Sequence, residues 1–322
     1  MVRIATLTMN PSIDLHTTVD KLAPTAKIRC TPACREPGGG GINVARAILK
    51  LGGRALAIYP SGGETGQLLH SLLQEEGVPD QRVRIGGLTR ENVSIFERST
   101  AEQYRFVLPG PSMDDGEWRR VLDQVVRLAD DLDYVVASGS LPSGVPVEFY
   151  AKLVRGLRGT GTQMILDTSG DPLEAALEEG VYLVKPNVRE LEQLTSRQLS
   201  AAPEREDACR LLVQGGSAQV VALTLEHEGA LLTWDKGRLM VPGLAVPVAS
   251  TVGAGDSFVA GMVLGLARGA SLEEAFRRGC ASGSAAAMTE GSELCRRSDA
   301  ESLYERIRSE EERGHHSPAD QN

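Results

Sequence analysis

The stretch from Ser250 to Ser257 reads Ser-Thr-Val-Gly-Ala-Gly-Asp-Ser. Its two glycines predict a sharp turn, and the carboxylate of Asp256 follows that turn directly. An apolar helical run, 258–267, follows it, so backbone N–H groups converge at a predicted helix start. Such a point favours an anion, most simply a phosphate. Because Asp256 would repel a resting phosphate, we consider a catalytic role, in which it takes a proton from a hydroxyl that attacks a phosphoryl group held by the amides. An Asp that only caps the helix fits these residues equally well.

A second glycine-rich stretch, 37–47, reads Pro-Gly-Gly-Gly-Gly-Ile-Asn-Val-Ala-Arg-Ala and also enters a predicted helix. It lacks the Lys-Ser/Thr of a Walker A loop. It also fails the dinucleotide fingerprint, since Asn43 or Val44 takes the last glycine position and we expect no strand closely before it. Bare backbone beside the Asn43 amide suits a ligand rich in hydroxyl groups. Asp14 follows the first predicted strand, where α/β sheets place ligand-binding groups, although an Asx-turn residue is an equal alternative.

Composition limits the class of protein. The chain has 322 residues, a formal net charge of −9 and only 4% aromatic residues, so its core is aliphatic. The negative charge argues against non-specific binding to nucleic acid or to an anionic membrane. Five cysteines without metal-ligand spacing indicate a reduced, cytoplasmic chain. The N-terminal residues lack the apolar segment of a signal peptide, and the longest apolar run is too short to span a bilayer.

Strand and helix patterns alternate along most of the chain, which predicts an α/β fold with a mostly parallel central sheet and helices on both faces. Two segments break the alternation: about 15–35, where 27–29 is expected to be a short strand, and a hairpin within 90–108. We interpret these two segments as a small β-sheet lid. No linker divides the chain, so we expect one domain over 1–312 and a disordered tail over 313–322.

The stretch Leu-Val-Lys-Pro-Asn places Lys185 at the end of a buried strand. Asn187 and Glu190 follow with the spacing of a capping box, and the sequence alone favours that structural assignment for them. A cap at the carboxyl end of a strand would also place these side chains near a ligand, so the two roles are compatible.

Five stretches together resemble the ribokinase-like sugar kinases of the phosphofructokinase-B type, and within that family its minor 6-phosphofructokinases. The matching motifs occur in the family's order over about residues 1–310. They are Asn10–Asp14, Glu36–Ala47, Gly139–Pro142, Lys185–Asn187 with Glu190, and Ser250–Asp256.

The resemblance implies a ribokinase-like fold and ATP-dependent phosphorylation of fructose 6-phosphate to fructose 1,6-bisphosphate, with Asp256 as the general base. Kinases for tagatose 6-phosphate or fructose 1-phosphate are the alternative, but they commonly carry a Lys where this chain has Gly40. A non-catalytic sensor of a sugar phosphate or nucleotide is the alternative of another class. Glu226 raises it, because this residue replaces the family's usual Gly and, with Glu228, puts an acidic pair near the expected nucleotide phosphates.

The resemblance also assigns roles by position. The anion hole and the base are formed by Gly253, Ala254, Gly255 and Asp256. Substrate-binding positions are Asp14, Lys27, Gly38, Gly39, Asn43, Arg90, Ser138 and Gly139. Nucleotide-binding positions are Lys185, Asn187, Thr224, Gly229, Ser250, Gly253 and Ser284. Mg²⁺ is expected near Asn187 and Glu190, partly through water. A monovalent cation such as K⁺ is expected on backbone oxygens of Ser250, Val252, Ala286, Thr289, Gly291 and Glu293.

Basic lid residues are implied to clamp the sugar phosphate. Lys27 and Arg90 match the family's positions for this clamp, although charges on solvated strands are an equally ordinary reading. The hairpin carries an apolar face, Val93 and Ile95 with Tyr104 and Phe106, that needs a cover. We therefore expect a homodimer in which two lids clasp.

Overall fold

The computed structural model describes residues 3–289, 291 and 293–315 and contains a large and a small sheet in that part of the chain. The strands are β1 (Ile4–Leu7), β2 (Ser12–Val19), β3 (Cys34–Gly38), β4 (Leu56–Ser61), β5 (Asp80–Arg84), β6 (Arg90–Glu97), β7 (Glu102–Phe106), β8 (Tyr134–Ser138), β9 (Gln163–Asp167), β10 (Val181–Val184), β11 (Ala218–Thr224), β12 (Gly229–Trp234) and β13 (Gly237–Pro242). The helices are α1 (Gly40–Lys50), α2 (Gly63–Glu75), α3 (Asp115–Leu128), α4 (Phe149–Leu157), α5 (Asp171–Glu179), α6 (Val188–Thr195), α7 (Ala202–Gln214), α8 (Ala254–Ala267), α9 (Leu272–Ala287) and α10 (Arg297–His315).

The large sheet has the strand order β13-β12-β11-β10-β9-β8-β1-β4-β5. Its strands pair in parallel from β11 to β5, and only β12 and β13 add in antiparallel fashion. The inner strands are almost continuous apolar runs, as expected for strands covered on both faces. One face packs on α1, α2, α8, α9 and α10, and the other on α3 to α7. The predicted fold class is confirmed.

The small sheet has the order β3-β2-β6-β7 and forms the predicted lid. One expectation within it is wrong: 27–29 is not a strand, and β3 lies later and leads directly into the glycine-rich stretch. The physical reason is pairing, because β3 forms an antiparallel ladder with β2 at the sheet's edge, where Pro37 is tolerated. Residues 20–30 consequently project as a loop, closed at its base by the Thr31 N–H, which donates to the Thr18 carbonyl at 3.0 Å.

The expected domain boundary lies near the C-terminal end of the last helix. Residue 312 falls inside α10, which continues to His315. The rest of the predicted tail, 316–322, lies outside the described residues. Among the helices the structure describes, none is long and apolar enough for a membrane span.

Candidate active site

The predicted anion hole lies at the start of α8. Gly253 precedes the helix with φ 75°, a left-handed conformation suited to glycine. Asp256 lies in the first turn of this helix. Its Oδ2 accepts a hydrogen bond from Asn43 Nδ2 at 3.0 Å. Two predicted site residues from distant parts of the chain therefore meet here, a contact that goes beyond what a helix cap alone would need.

The pKa of Asp256 is raised to about 7, chiefly by burial and by the negative charge of Asp167. The Asn43 hydrogen bond and the Lys185 charge lower it, and Asp14 raises it slightly. A carboxyl group with a pKa near neutrality exchanges its proton readily at physiological pH. The environment of Asp256 thus suits a general base.

Asp14 lies inside β2 and not in a turn, so the Asx-turn alternative is wrong. Its carboxylate lies over Gly38, where a Cβ would stand 2.5 Å from the Asp14 Cγ. Asp14 Oδ1 accepts hydrogen bonds from the Ser12 hydroxyl at 2.7 Å and from Asn92 Nδ2 at 2.9 Å. Sequence reasoning missed Asn92 as a site residue. The only available signal was its place on the lid hairpin, which β2 joins in parallel.

The glycine-rich stretch packs against the carboxyl ends of the central strands. Gly39 has φ 110°, and a Cβ on Gly40 would stand 2.1 Å from the Ser138 hydroxyl at the end of β8. Ser138 is itself buried. The Gly139 carbonyl accepts a hydrogen bond from the Tyr150 hydroxyl at 2.9 Å. These contacts leave no room for a side chain at Gly40. They also place residues 38–40 beside residues 138–139.

Lys185 is buried at the end of β10 and forms an ion pair with Asp167, with Nζ and Oδ1 3.0 Å apart. Burial opposes the charged ammonium, but the attraction of Asp167, Glu190 and Asp256 outweighs it, so the pKa of Lys185 lies above its ordinary value. A Cβ on Gly255 would lie 3.6 Å from Lys185 Nζ. The Lys185 ammonium therefore lies beside the predicted anion hole. Asp167 ends a predicted strand, and the sequence offered no signal for its pairing with Lys185.

Asn187 and Glu190 form the expected capping box at the start of α6. The Glu190 N–H donates to Asn187 Oδ1 and the Asn187 N–H to Glu190 Oε2, both at 2.9 Å. Burial raises the pKa of Glu190, and the Asn187 backbone bond and the Lys185 charge oppose that rise. Thr224 lies beside this box, in a parallel bridge with Asn187. The strand-end cluster predicted for the nucleotide is thus assembled.

Hard oxygen donors such as these suit Mg²⁺. Asn187 Oδ1 and Glu190 Oε2 each already accept a backbone hydrogen bond, whereas the capping box does not use Glu190 Oε1, which can face an ion or its bound water. In the described part of the chain, no group of three or more His, Cys, Asp or Glu side chains forms a preformed metal cage. The residues fit an ion that arrives with substrate phosphates, as Mg²⁺ commonly does.

The acidic pair that follows β11 is exposed to solvent. Glu226 and Glu228 are both exposed, and Glu228 pairs with Arg205 at 2.9 Å. Gly229 has φ 112°, and a Cβ at this position would lie 2.1 Å from the Val241 carbonyl oxygen. Packing therefore requires a glycine here. Solvent screens both carboxylates, and Arg205 offsets the charge of Glu228, so the repulsion expected from the pair is weakened.

The residues predicted for a monovalent cation cluster at the end of α9 and before α8. The Ala286 carbonyl already accepts hydrogen bonds from the Thr289 N–H at 3.1 Å and hydroxyl at 2.8 Å, so it fits a cation least well. Ser250 is buried, and its hydroxyl accepts from the Val252 N–H at 3.2 Å. Gly291 and Glu293, also predicted for the cation, follow α9. Ser284, predicted for the nucleotide, is half-buried in α9.

The two basic lid residues differ in placement. Arg90 lies near Asp14 and donates to the carbonyl oxygens of Asn10 at 2.9 Å and Leu108 at 3.0 Å. Burial lowers the pKa of Arg90, and Asp14 opposes this shift. Lys27 is exposed in the projecting loop, and no contact described in this chain joins it to Arg90 or Asp14.

Comparison with known proteins gives consistent results. The sequence model of the pfkB family of carbohydrate kinases matches residues 7–299. The chain is 44% identical over 303 residues to the ATP-dependent 6-phosphofructokinase isozyme 2 of Mycobacterium tuberculosis, covering 94% of this chain and 89% of that protein. It is 32% identical over 287 residues to the 1-phosphofructokinase of Bacillus subtilis, covering 89% of this chain and 93% of that one. The crystal structure of phosphofructokinase-2 from Escherichia coli in complex with potassium superposes with a TM-score of 0.92 at 43% identity, covering 96% of this chain and 100% of the other. The same protein in complex with fructose-6-phosphate gives a TM-score of 0.90 at 42% identity, with the same shares of the two chains covered.

Proposed function

Because this chain belongs to the pfkB family of carbohydrate kinases, we propose that it transfers the terminal phosphoryl group of ATP to fructose 6-phosphate, forming fructose 1,6-bisphosphate. One observation carries the proposal: Asp256 at the start of α8 is hydrogen-bonded to Asn43, within the electrostatic range of both Asp14 and Lys185. A base, a hydroxyl-binding group and a phosphate-binding cation are thereby gathered at one edge of the sheet.

The proposed mechanism uses these groups as they stand. Asp14 and Asn43 orient the sugar hydroxyls, and Asp256 accepts the proton of the attacking hydroxyl. The N–H groups of Gly253, Ala254 and Gly255 and the Lys185 ammonium neutralise charge on the moving phosphoryl group. Bound Mg²⁺ would offset the charge of the ATP phosphates. Phosphoryl transfer demands little more than this positioning and neutralisation.

We further propose Mg²⁺ near Glu190 and Asn187, partly through water, and a monovalent cation in the loop after α9. The potassium in the E. coli relative supports the second site. The nucleotide is proposed to lie along Lys185, Asn187, Thr224 and Gly229, at the carboxyl ends of β10 and β11.

Gly40 separates the proposed substrate from the alternative sugar phosphates. A Lys at this position is common in kinases for tagatose 6-phosphate or fructose 1-phosphate, and the Ser138 hydroxyl occupies the space that its Cβ would need. The similarity to ATP-dependent kinases argues against the sensor alternative, and the exposure of Glu226 and Glu228 weakens the observation that raised it. A coupled assay over hexose monophosphates with ATP and Mg²⁺ tests the proposal: fructose 6-phosphate is expected to give the highest kcat/KM. Preference for fructose 1-phosphate, or no turnover with any of them, would overturn it.

Gly40→Ala is expected to lower kcat/KM for fructose 6-phosphate by about tenfold or more, because its Cβ would collide with Ser138 at 2.1 Å. Steady-state kinetics measures the loss, and Ser138→Gly in the same chain should restore part of it. Gly237→Ala is the matched control, since its Cβ would meet only ordinary contacts. If the Gly40→Ala variant and the double variant lose kcat/KM equally, the collision with Ser138 is not the cause.

Glu190→Gln is expected to shift the Mg²⁺ dependence of activity to higher concentrations and to leave the fructose 6-phosphate KM nearly unchanged. Gln can still accept the Asn187 N–H bond, so the capping box persists and only the charge is lost. Activity is measured against free Mg²⁺ at fixed ATP, with melting temperature as the check on the cap. An unaltered Mg²⁺ curve with a weakened sugar KM would reassign Glu190 to the substrate.

A further inference from the structure

A cleft between α8, α9 and α10 takes no part in the proposed reaction. It encloses about 310 Å³, and its charged lining consists of Arg268, Arg278, Arg297 and Glu301. It meets α8 from Gly261 onward, whereas Asp256 lies in the first turn of that helix. Since α8 is about 20 Å long, the cleft and the active site lie toward opposite ends of one helix.

Two of the three guanidinium groups have no carboxylate partner in the part of the chain that the structure describes. Arg278 stacks on Tyr304, with its Cζ 4.1 Å from the ring centroid, and Arg268 donates to the Gly52 carbonyl at 2.8 Å. Only Arg297 is paired, with Glu301 at 2.6 Å. In a protein with net charge −9, unpaired cations around one cavity leave a local positive site for an anion.

The packing holds this arrangement in place. Tyr304 is buried, and its hydroxyl donates to Glu274 at 3.2 Å, which fixes the ring beneath Arg278. A Cβ on Gly265 would stand 3.1 Å from the Ala275 Cα and 3.3 Å from the Arg278 Cδ, so this glycine lets α8 pack closely on α9 beside the arginine stem. Planar guanidinium groups bind phosphate oxygens in a bidentate manner, and several of them favour a ligand with more than one phosphate.

We propose that this cleft binds a small metabolite carrying two or more phosphate groups, at a site separate from the active site. The ligand would lie between the Arg268 and Arg278 guanidinium groups, with Arg297 at the rim. The proposal goes beyond the kinase reaction and does not depend on it.

The test uses inorganic pyrophosphate as the probe, titrated into the metal-free protein by calorimetry at matched ionic strength. Wild type is expected to show two classes of site, one in the active site and one in the cleft. Arg278→Leu is expected to lose the cleft class, with affinity at least about tenfold weaker, because charge-assisted bonds are lost. Arg197→Leu is the matched control, an exposed arginine with no ion pair in the described residues.

Sugar kinase activity of each variant reports that it is folded. If Arg278→Leu fails to fold, Arg268→Leu gives the same test, since its guanidinium is exposed and donates to one carbonyl. Identical isotherms for wild type and both cleft variants, whether they show one class of site or two, would overturn the proposal. Loss of the cleft class in a chain without turnover on any sugar phosphate would leave this site standing and reject only the proposed function.

Discussion

Asp256→Asn is expected to lower kcat by at least about 10²-fold while the KM values for fructose 6-phosphate and ATP change little. Asn has nearly the same shape and can still accept the Asn43 hydrogen bond, but it cannot take a proton. Steady-state kinetics together with calorimetric binding of each substrate separates chemistry from affinity. Asp115→Asn is the control, because Asp115 is an exposed acid in the first turn of α3. Retention of most of the wild-type kcat in Asp256→Asn would show that another group is the base.

The pH profile gives a second measure of the same role. Because the pKa of Asp256 is raised to about 7, the carboxylate form is lost as pH falls through 7, and kcat/KM should fall with it. Asn43→Ala removes a hydrogen bond that lowers this pKa, so its profile should move to higher pH. The sugar phosphate titrates in the same way in both assays, so the difference between the two profiles reports on the enzyme. Profiles that coincide would show that Asn43 does not influence the pKa of the base.

The sequence could predict the parts of this site that depend on local pattern. Runs of alternating strands and helices gave a parallel sheet, and polar residues directly after strands had to collect at one edge of it. Lys185, Asn187 and Glu190 follow β10 in this way, and the capping-box spacing alone fixed the geometry of the last two. Their roles toward a nucleotide and a metal stay proposals.

Long-range pairing is the part that the sequence could not supply. Asp167 and Lys185 end neighbouring strands, but only the sheet order makes them partners. Asn92 reaches Asp14 because β6 lies beside β2 in parallel, and a hairpin pattern does not state which strand it will join. The error over 27–29 has the same origin. Residues with ordinary strand propensity stayed in a loop because the ladder with β2 formed further along, at β3.

We propose that two copies of the chain form a dimer in which the two lids clasp. Val93 pairs with Phe106 and Ile95 with Tyr104 across β6 and β7, so these four side chains share one face of the small sheet. Phe106 is 51% exposed, and the other three are only partly buried. Asp14 lies on the opposite face, toward the active site. A second lid is the cover that fits an apolar, strand-shaped surface of this kind.

The projecting loop of residues 20–30 gives the clasp a functional consequence. It carries Lys27 and Arg29, both exposed, beyond the ties at its base. In a symmetric pair of lids, each loop can extend into the neighbouring site and bring Lys27 beside the neighbour's Arg90. Two cations on one phosphate dianion gain more in a closed, partly dry cleft than in water. The site for the sugar phosphate would then be completed only in the dimer.

Lys27→Ala and Arg90→Ala are each expected to raise the fructose 6-phosphate KM by about tenfold or more and to leave the ATP KM nearly unchanged. Lys21→Ala, in the same exposed loop, is the matched control for the first variant. Arg90 also ties the Asn10 and Leu108 carbonyls together, so Lys27→Ala is the cleaner test of phosphate binding. A raised ATP KM in Lys27→Ala would place this lysine at the nucleotide instead.

Mixing the two variants tests whether the site is shared between subunits. In a mixed dimer one site carries both substitutions and the other carries neither, so an equal mixture should recover about a quarter of the wild-type activity at low fructose 6-phosphate. The Lys27→Ala variant alone, at any protein concentration, should not show this recovery.

Sedimentation at the assay concentration measures the assembly directly. Phe106→Asp, on the exposed apolar face, should shift the protein toward the monomer and raise the sugar KM as Lys27→Ala does. A monomer with full activity, or a mixture with no more activity than its components, would show that each chain completes its own site.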